Sequence, residues 1–510
     1  MIRSLSSILL ALLLCVATIS SADEPQREGM WLTQRNDNGT LLFATELTLH
    51  PQPEPKPALT YQFIPDEFNS VEGNSAIYYL KALGFLEQNR AHELLQQTWT
   101  RAQKLAQEKG VDVAAVPPYS WLKAAPSDLP VKEVREYLAL TSFQPPYLAE
   151  AAKRRTFSLD RNLRDVESPI SVLLPEIQTL RELARNQSIR CRLAIAENRF
   201  DDAITILGQQ FALANHLGKD EFLVSALVGL AISSIAWEDS LHLIQCDTAP
   251  NLYWAVASLP KPLANLQRAL ASEKQFLLQQ VKSLQEVNEA LRPAGYWQDF
   301  IDRILPELRT IEFPGLGGGT DAEVERTAFV AMIAAAYPGA KRFLLEDCKM
   351  NPAKVDAYPT AQVVFLAMRK FYEQARDDQF KWFEVPFAVA QRSTEFATLD
   401  KKLEARSNQI GWAGKPATLL LPAVTAMRGA QQRELQRSAL LQTIESIRMF
   451  GANNAGKLPT SLDALPYPAP IDPASGEPFT YEFKVDHAIL ASQPIASLQY
   501  RFTLRFAHSL

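Results

Sequence analysis

The stretch that most constrains the fold is residues 222–237, which is apolar on nearly all sides. Acidic pairs bound it at Asp220-Glu221 and Glu238-Asp239, and small residues such as Gly229 interrupt it. A membrane span needs about 20 consecutive apolar residues, whereas a shorter helix that is apolar all round must be covered by other helices. The stretch therefore predicts a helix buried among neighbouring helices.

Helical periodicity extends from about residue 72 to about 405. The clearest case follows Pro260 and Pro262 and stops at Pro293. Proline is tolerated in a first helical turn and excluded later, so the spacing predicts one long helix between these prolines. Its apolar positions are Leu263, Leu266, Leu270, Leu277, Val281, Leu284, Val287 and Leu291. The predicted class is mainly α, built from stacked helical hairpins.

Both ends of the chain carry strand patterns. Residues 30–35 and 40–45 flank Asn36-Asp37-Asn38-Gly39, a turn suited to positive φ, which predicts a short N-terminal β element. Residues 50–57 have proline at alternate positions and predict an extended connector. Near the C-terminus, residues 479–483 and 498–506 predict strands of a small antiparallel sheet.

These patterns divide the chain into segments. Residues 1–22 predict a signal peptide, residues 23–71 the β element and connector, and residues 72–312 a helical domain. Residues 313–320 predict a glycine-rich loop, residues 321–415 a second helical block, and residues 416–510 a helix with a small sheet.

The N-terminus predicts export to the periplasm, the cell envelope or the medium. Arg3 precedes the apolar residues 8–17, and Ser20 and Ala22 provide the small residues of a cleavage site. An uncleaved membrane anchor is the alternative, but the apolar stretch is short for a span. After cleavage we expect no integral membrane span.

Charge excludes one class of partner. The chain has 52 lysines and arginines against 57 aspartates and glutamates, giving a formal net charge of −5, and the two signs are interspersed. Without a basic patch there is no electrostatic footprint for nucleic acid. We expect a protein or peptide partner.

No metal or catalytic motif is found in the sequence, so we assign no catalytic residue, no metal site and no cofactor. Outside the signal segment, Cys191, Cys246 and Cys348 are too far apart for a zinc pattern. Two alternatives remain for them, namely buried free thiols or one disulfide between two of the three. The histidines form no HExxH pair, and there is no G-x-S-x-G nucleophile elbow. We interpret the acid pairs Glu346-Asp347 and Asp377-Asp378 as solvated helix faces.

Two segments resemble known modules. Residues 189–207, with alanines 194, 196 and 203 around a short turn, resemble one tetratricopeptide hairpin at about 177–217, although Glu197 stands where that family has glycine. Residues 419–428, Gly456-Lys-Leu-Pro459 and a D-P-x-x-G-x-P turn from Asp472 resemble the globular part of type II secretion pseudopilins. Residues 440–450 form the apolar stripe of that module's helix, and Gly451 is predicted to end it.

The pseudopilin resemblance implies a docking or capping module. Residues 401–416 are polar where a pilin carries about 20 apolar residues for the filament core, so a filament subunit is not implied.

The whole chain is also similar to a family of large, uncharacterised exported proteins of planctomycete-type bacteria. The similarity lies in residues 250–260, 337–342, 361–364, 381–383 and 456–459. It implies export and brings no known activity. The sequence therefore predicts an exported helical scaffold that binds a protein or peptide, with a non-enzymatic role favoured. The alternative is a hydrolase of envelope polymers whose carboxylates come from separate helices.

Overall fold

The computed structural model describes residues 25–84, 91–161, 175–311, 313, 316 and 321–507. The predicted signal peptide and most of the predicted glycine-rich loop lie outside these residues. The chain divides into two compact units. The sheet unit comprises the described residues of 25–160, 175–269 and 429–507, and the helical unit comprises Arg161 and the described residues of 270–428.

The chain is mainly helical, with strands near both ends, as the sequence predicts. The helices up to residue 280 are α1 Ala76–Ala82, α2 Ala91–Lys109, α3 Val131–Ala139, α4 Gln144–Ala152, α5 Pro175–Ala196, α6 Phe200–Leu217, α7 Leu223–Leu243, α8 Tyr253–Ala257 and α9 Gln267–Gln280. Those that follow are α10 Ala294–Thr310, α11 Ala322–Glu346, α12 Pro352–Asp356, α13 Thr360–Phe380, α14 Phe387–Gln391, α15 Thr394–Ala397, α16 Leu399–Ile410, α17 Lys415–Leu420 and α18 Pro422–Asn453.

The apolar stretch of the sequence forms α7, and most of its side chains are buried in the sheet unit. Helices α5 and α6 form a hairpin over the region predicted to hold one, and both pack against α7. Helices α7 and α11 are long and apolar enough to cross a membrane by length and composition alone. The most apolar window of α7 is 72% buried, and that of α11 is 33% buried.

The strands are β1 Gln26–Glu28, β2 Trp31–Arg35, β3 Leu41–Leu49, β4 Val71–Asn74, β5 Arg154–Thr156, β6 Ile471–Asp472, β7 Glu477–Pro478, β8 Thr480–Phe483, β9 Ala488–Ala491 and β10 Leu498–Phe506. The predicted N-terminal hairpin is confirmed as β2–β3, and Gly39 takes the positive φ of its turn. The predicted last strand is confirmed as β10.

The predicted antiparallel C-terminal sheet is confirmed for β8, β9 and β10, but these strands belong to a larger sheet that includes the N-terminal strands. One six-stranded sheet has the order β1-β2-β3-β10-β9-β8, and β10 pairs in parallel with β3 from Leu498 opposite Leu41 to Phe506 opposite Leu49. A strand pattern shows which face is buried but not which strand lies beside it, so the partner 457 residues away could not be inferred.

Aromatic side chains join this sheet to α7. The Trp31 ring stacks on the Trp237 ring with centroids 5.5 Å apart, and Phe502 meets Trp31 edge-on at 5.8 Å. The interpretation of Gly451 as a helix end is wrong, because α18 continues to Asn453. A Cβ on Gly451 would lie 2.4 Å from the Phe506 ring, so this glycine permits close packing between α18 and β10.

The predicted single long helix after Pro262 is also wrong. Helix α9 ends at Gln280 and a 3₁₀ turn covers Lys282–Glu286. The Glu307 carboxylate accepts hydrogen bonds from the backbone N–H and hydroxyl of Ser283, each at 3.0 Å. The Arg369 guanidinium donates to the carbonyls of Leu284, Gln285 and Val287. These side chains replace helical hydrogen bonds, so Leu277, Val281, Leu284 and Val287 are buried without one continuous helix, whereas Leu291 is exposed.

Candidate functional site

The helical unit contains a cleft of about 260 Å³, which we call the 371–406 cleft. Its walls come from the last turns of α13, from the short helix α15 and from α16. The lining residues are Phe371, Ala375, Asp378, Gln379, Glu395, Leu399, Lys402, Leu403 and Arg406.

Helical spacing brings these side chains to one place. On α13, Phe371, Ala375 and Asp378 follow each other at intervals of four and three residues, so they share one face. On α16, Leu399 and Leu403 are four residues apart, and so are Lys402 and Arg406. The leucines are buried, while Lys402 is exposed. The cleft therefore has an apolar floor and a charged rim.

Two acids of the rim share one ammonium group. The Lys381 Nζ lies 3.1 Å from the Asp378 Oδ1 and 2.7 Å from the Glu395 Oε1. The hydrogen bond from Lys381 lowers the pKa of the Glu395 carboxyl, so Glu395 is ionised at neutral pH. A general acid needs a pKa raised towards the working pH, and Glu395 is shifted the other way.

The cations of the rim differ from each other. The Arg406 guanidinium lies 3.3 Å from the Asp347 Oδ1, and its carbon lies 5.6 Å from the centre of the Phe371 ring. Lys402 has no ion-pair partner within 4 Å among the residues that the structure describes. Its charge helps to lower the pKa of the Glu395 carboxyl, but its ammonium group forms no close ion pair and can contact an anionic group of a ligand.

A buried arginine fixes the segment that carries Lys381 and Glu395. Arg428 is 3% exposed, and its Nη2 donates to the Val385 carbonyl at 2.7 Å. Its guanidinium carbon lies 5.2, 5.5 and 5.7 Å from the ring centres of Phe383, Phe387 and Phe396. Burial lowers the pKa of Arg428 to about 10. Phe383, Phe387 and Phe396 thus pack around this cation and hold one wall of the cleft in place.

The sheet unit contains buried charges that are already satisfied. The Arg192 Nε lies 2.9 Å from the Asp239 Oδ1, and its Nη2 lies 3.0 Å from the Glu238 Oε1. The Arg448 Nη1 lies 2.9 Å from the Glu445 Oε2, and its Nη2 and Nε donate to the carbonyls of Ala249 and His50. Such groups hold the fold together and leave little hydrogen-bonding capacity for a ligand.

Sequence reasoning found only part of the cleft. The acid pairs are solvated as the sequence predicts, with the Asp347 and Asp378 side chains each 45% exposed, but Asp378 also lines the cleft and Asp347 pairs with Arg406. Residues 401–416 predict only a polar stretch, so the sequence analysis assigns no role to Lys402 or Arg406. The four-residue spacing of the leucines 399 and 403, beside two cations with the same spacing, was the signal available.

Other expectations concern the cysteines and metals. Cys191, Cys246 and Cys348 carry free thiols, so the buried-thiol alternative describes Cys191, while the other two are partly exposed. Within the described ranges, no group of three or more histidine, cysteine, aspartate or glutamate side chains is placed to hold a metal ion.

No protein-family model, no curated protein and no solved structure matches this chain. The cleft therefore has to be interpreted from its own chemistry.

Proposed function

We propose that this protein is a non-enzymatic binding protein that holds a segment of another polypeptide in the 371–406 cleft. The observation that carries the proposal is the combination of an apolar floor with a rim ammonium group, Lys402, that forms no ion pair within 4 Å among the described residues. A volume of about 260 Å³ is close to the lower end of small-ligand sites and suits a single large side chain.

The matching ligand is a large apolar side chain beside a carboxylate. The apolar side chain would contact Leu399 and Leu403, and the carboxylate would pair with Lys402. Lys381 pairs with both rim acids and the Arg406 Nη1 lies 3.8 Å from the Asp378 Oδ2, so the acids do not favour a cationic ligand strongly.

The test measures binding of fluorescein-labelled peptides that differ only beside a central leucine, which is flanked by glutamate, glutamine or lysine. We expect the glutamate peptide to bind most tightly. Lys402→Glu should raise its Kd by about tenfold or more, equivalent to about 1.4 kcal/mol. Lys401→Glu is the matched control, because Lys401 is exposed on the same helix but does not line the cleft.

Two results would overturn the proposal. One is that none of the three peptides binds. The other is that Lys401→Glu weakens binding as much as Lys402→Glu, since that would reflect overall charge and not the cleft.

The hydrolase alternative is supported by one observation, namely that Asp378 and Glu395 come from separate helices and line one cleft. The lowered pKa of Glu395 disfavours it as a general acid. Turnover of a purified envelope polysaccharide by the protein, abolished by Glu395→Gln, would favour the hydrolase over the binding protein.

Export and the module resemblances belong to the same proposal. We propose that the chain is exported after cleavage at Ala22, which predicts that the protein purified from its native cells begins at Asp23. We also propose that α5–α6 is a tetratricopeptide-type hairpin and that residues 416–510 derive from a pilin-like module. In support of the latter, α18 is followed by short strands and by a turn in which the Asp472 carboxylate accepts hydrogen bonds from Gln436 and from the backbone of Ala474 and Gln493.

A further inference from the structure

Helix α11 has one buried side and one exposed side, and both are apolar. The buried side packs in the helical unit against α13, α16 and the 3₁₀ turn Gly411–Gly414. It includes Phe329, whose ring centre lies 5.3 Å from that of Trp412, and Phe343, which lies 5.7 Å from Phe371.

The opposite side, which we call the α11 outer face, covers about half of the helix circumference. It includes Val324, which is 65% exposed, and Val330, which is 40% exposed. Its other members are Thr327, Ala328, Ala331, Ala334, Ala335 and Pro338, all of them exposed. Residues 327–340 contain no charged residue at all. A surface helix ordinarily turns charged residues to solvent, so this face has the composition of a contact surface.

The side chains of the outer face permit close helix packing. Ala331, Ala334 and Ala335 at its middle project only a methyl group each, so a second helix could approach at about 8 Å, the short end of the usual interaxial range. A row of small residues does not by itself identify the binding partner. The charges at the two ends of the helix indicate which partner fits.

Glu323 lies just before the outer face and Arg342 just after it. Both are exposed, and neither has an ion-pair partner within 4 Å among the described residues. In contrast, Arg326 pairs with Asp302 and Lys341 with Asp356. Glu323 and Arg342 are 19 residues apart in the sequence, which is about 28 Å along a helix.

We infer that the α11 outer face binds the α11 outer face of a second copy of this chain, in antiparallel orientation. A twofold axis midway between positions 332 and 333 would place Glu323 of each copy beside Arg342 of the other. The same axis pairs Ala331 with Ala334 and Thr327 with Pro338, so small uncharged residues meet along the middle of the interface, and Val324 lies opposite Lys341. A symmetric interface requires a self-complementary surface, and opposite charges at opposite ends of an apolar face meet this requirement.

The experiment is sedimentation equilibrium of the full chain over a range of concentrations. We expect a reversible dimer. Ala331→Glu should raise its dissociation constant by about tenfold or more, because a charge would be buried at the middle of the interface. Lys104→Glu, at an exposed position of α2, is the control and should leave the constant unchanged.

Charge reversal tests the orientation. Glu323→Arg and Arg342→Glu should each weaken the dimer, and the double variant should restore it, since the two charges exchange places across the antiparallel pair. All of these positions are exposed, so the variants should fold, which circular dichroism would verify.

Three outcomes would overturn the inference. The first is a monomer at all concentrations. The second is a dimer that Ala331→Glu leaves intact, or whose charge variants show no mutual rescue. The third is a monomer that sediments with phosphatidylcholine vesicles and loses this behaviour in Ala331→Glu, which would make a membrane surface the occupant.

Discussion

The two units use buried arginines differently. In the sheet unit, Arg448 is fully buried, and its partner Glu445 is buried with it. In the helical unit, Arg428 is almost as buried, but it lies among three phenylalanine rings and has one backbone acceptor. The first arrangement leaves a buried carboxylate behind when the arginine is lost, and the second does not.

This difference separates charges that specify the fold from charges that shape a surface. The Arg448 guanidinium joins α18 to backbone carbonyls from two other segments of the sheet unit. The charges of the 371–406 cleft are about half exposed and interact mainly with each other. We therefore expect substitutions to affect stability in the sheet unit and binding in the cleft.

The largest effect is expected for Arg448→Met. Loss of the guanidinium leaves the Glu445 carboxylate buried and uncompensated, which should lower the free energy of unfolding by about 3 to 5 kcal/mol. Urea denaturation followed by circular dichroism would measure it. The control is Arg303→Met, which breaks a half-exposed pair with Glu286 and should cost about 1 kcal/mol or less. An equal loss of unfolding free energy in the two variants would contradict the conclusion that the buried Arg448–Glu445 pair specifies the fold of the sheet unit.

The next effect is a pH dependence that arises from Glu434 in the sheet unit. This side chain is 3% exposed and accepts a hydrogen bond from the Ser438 hydroxyl at 3.1 Å. Burial raises the pKa of Glu434 from its ordinary value of 4.5 to about 7. The folded state therefore holds its proton more tightly than the unfolded chain does. Glu434 therefore makes its full contribution to the free energy of unfolding below about pH 4.5, and this contribution is lost as the pH rises through about 7.

Glu434→Gln should remove this dependence. Between pH 4.5 and 8, the stability of the unsubstituted protein relative to the variant should fall by roughly 2 to 3 kcal/mol. Urea midpoints at several pH values would measure the difference. Glu404→Gln, at an exposed position, serves as the control and should give a flat difference. A flat difference for Glu434→Gln as well would show that this carboxyl titrates normally.

A smaller effect is expected for Arg428→Met. The substitution removes cation–π contacts and one hydrogen bond, but it also removes the desolvation of a charge and leaves no carboxylate unpaired. The free energy of unfolding should change by only about 1 kcal/mol, as a balance of these contributions. The same urea experiment compares it directly with Arg448→Met. A loss as large as that of Arg448→Met would remove the contrast between the two units.

The smallest effect on stability is expected for Lys381→Met at the cleft. Its pairs with Asp378 and Glu395 are about half exposed, so their loss should lower the urea midpoint only slightly at low salt and less in 1 M salt, where charges are screened within about 3 Å. Urea midpoints at the two salt concentrations would measure this. A cost that persists in 1 M salt would indicate that Lys381 supports the wall through packing instead.

Local patterns predicted local structure well. The Asn36–Gly39 turn, the apolar stretch of α7 and the alternation of β10 each depend on neighbouring residues, and each is confirmed. The end of α9 could not be predicted in this way. The groups that replace its helical hydrogen bonds, Glu307 and Arg369, lie 24 and about 85 residues further along the chain.

The candidate site was predictable only in its parts. Each helix of the cleft shows its own spacing, but no pattern states that α13 and α16 face each other across a cleft. The sequence also could not predict that Lys402 forms no ion pair within 4 Å, because this depends on where the fold places every nearby acid.

By itself, the sequence determined the mainly helical class, the strands at both ends and the burial of α7, because these follow from the periodicity of apolar residues along the chain. Only the tertiary structure decided that β3 and β10 share one sheet, that Arg448 is neutralised by Glu445, and that α11 presents an apolar face to solvent. Those outcomes depend on which distant segments come into contact, and a one-dimensional pattern does not encode the partner of a buried face.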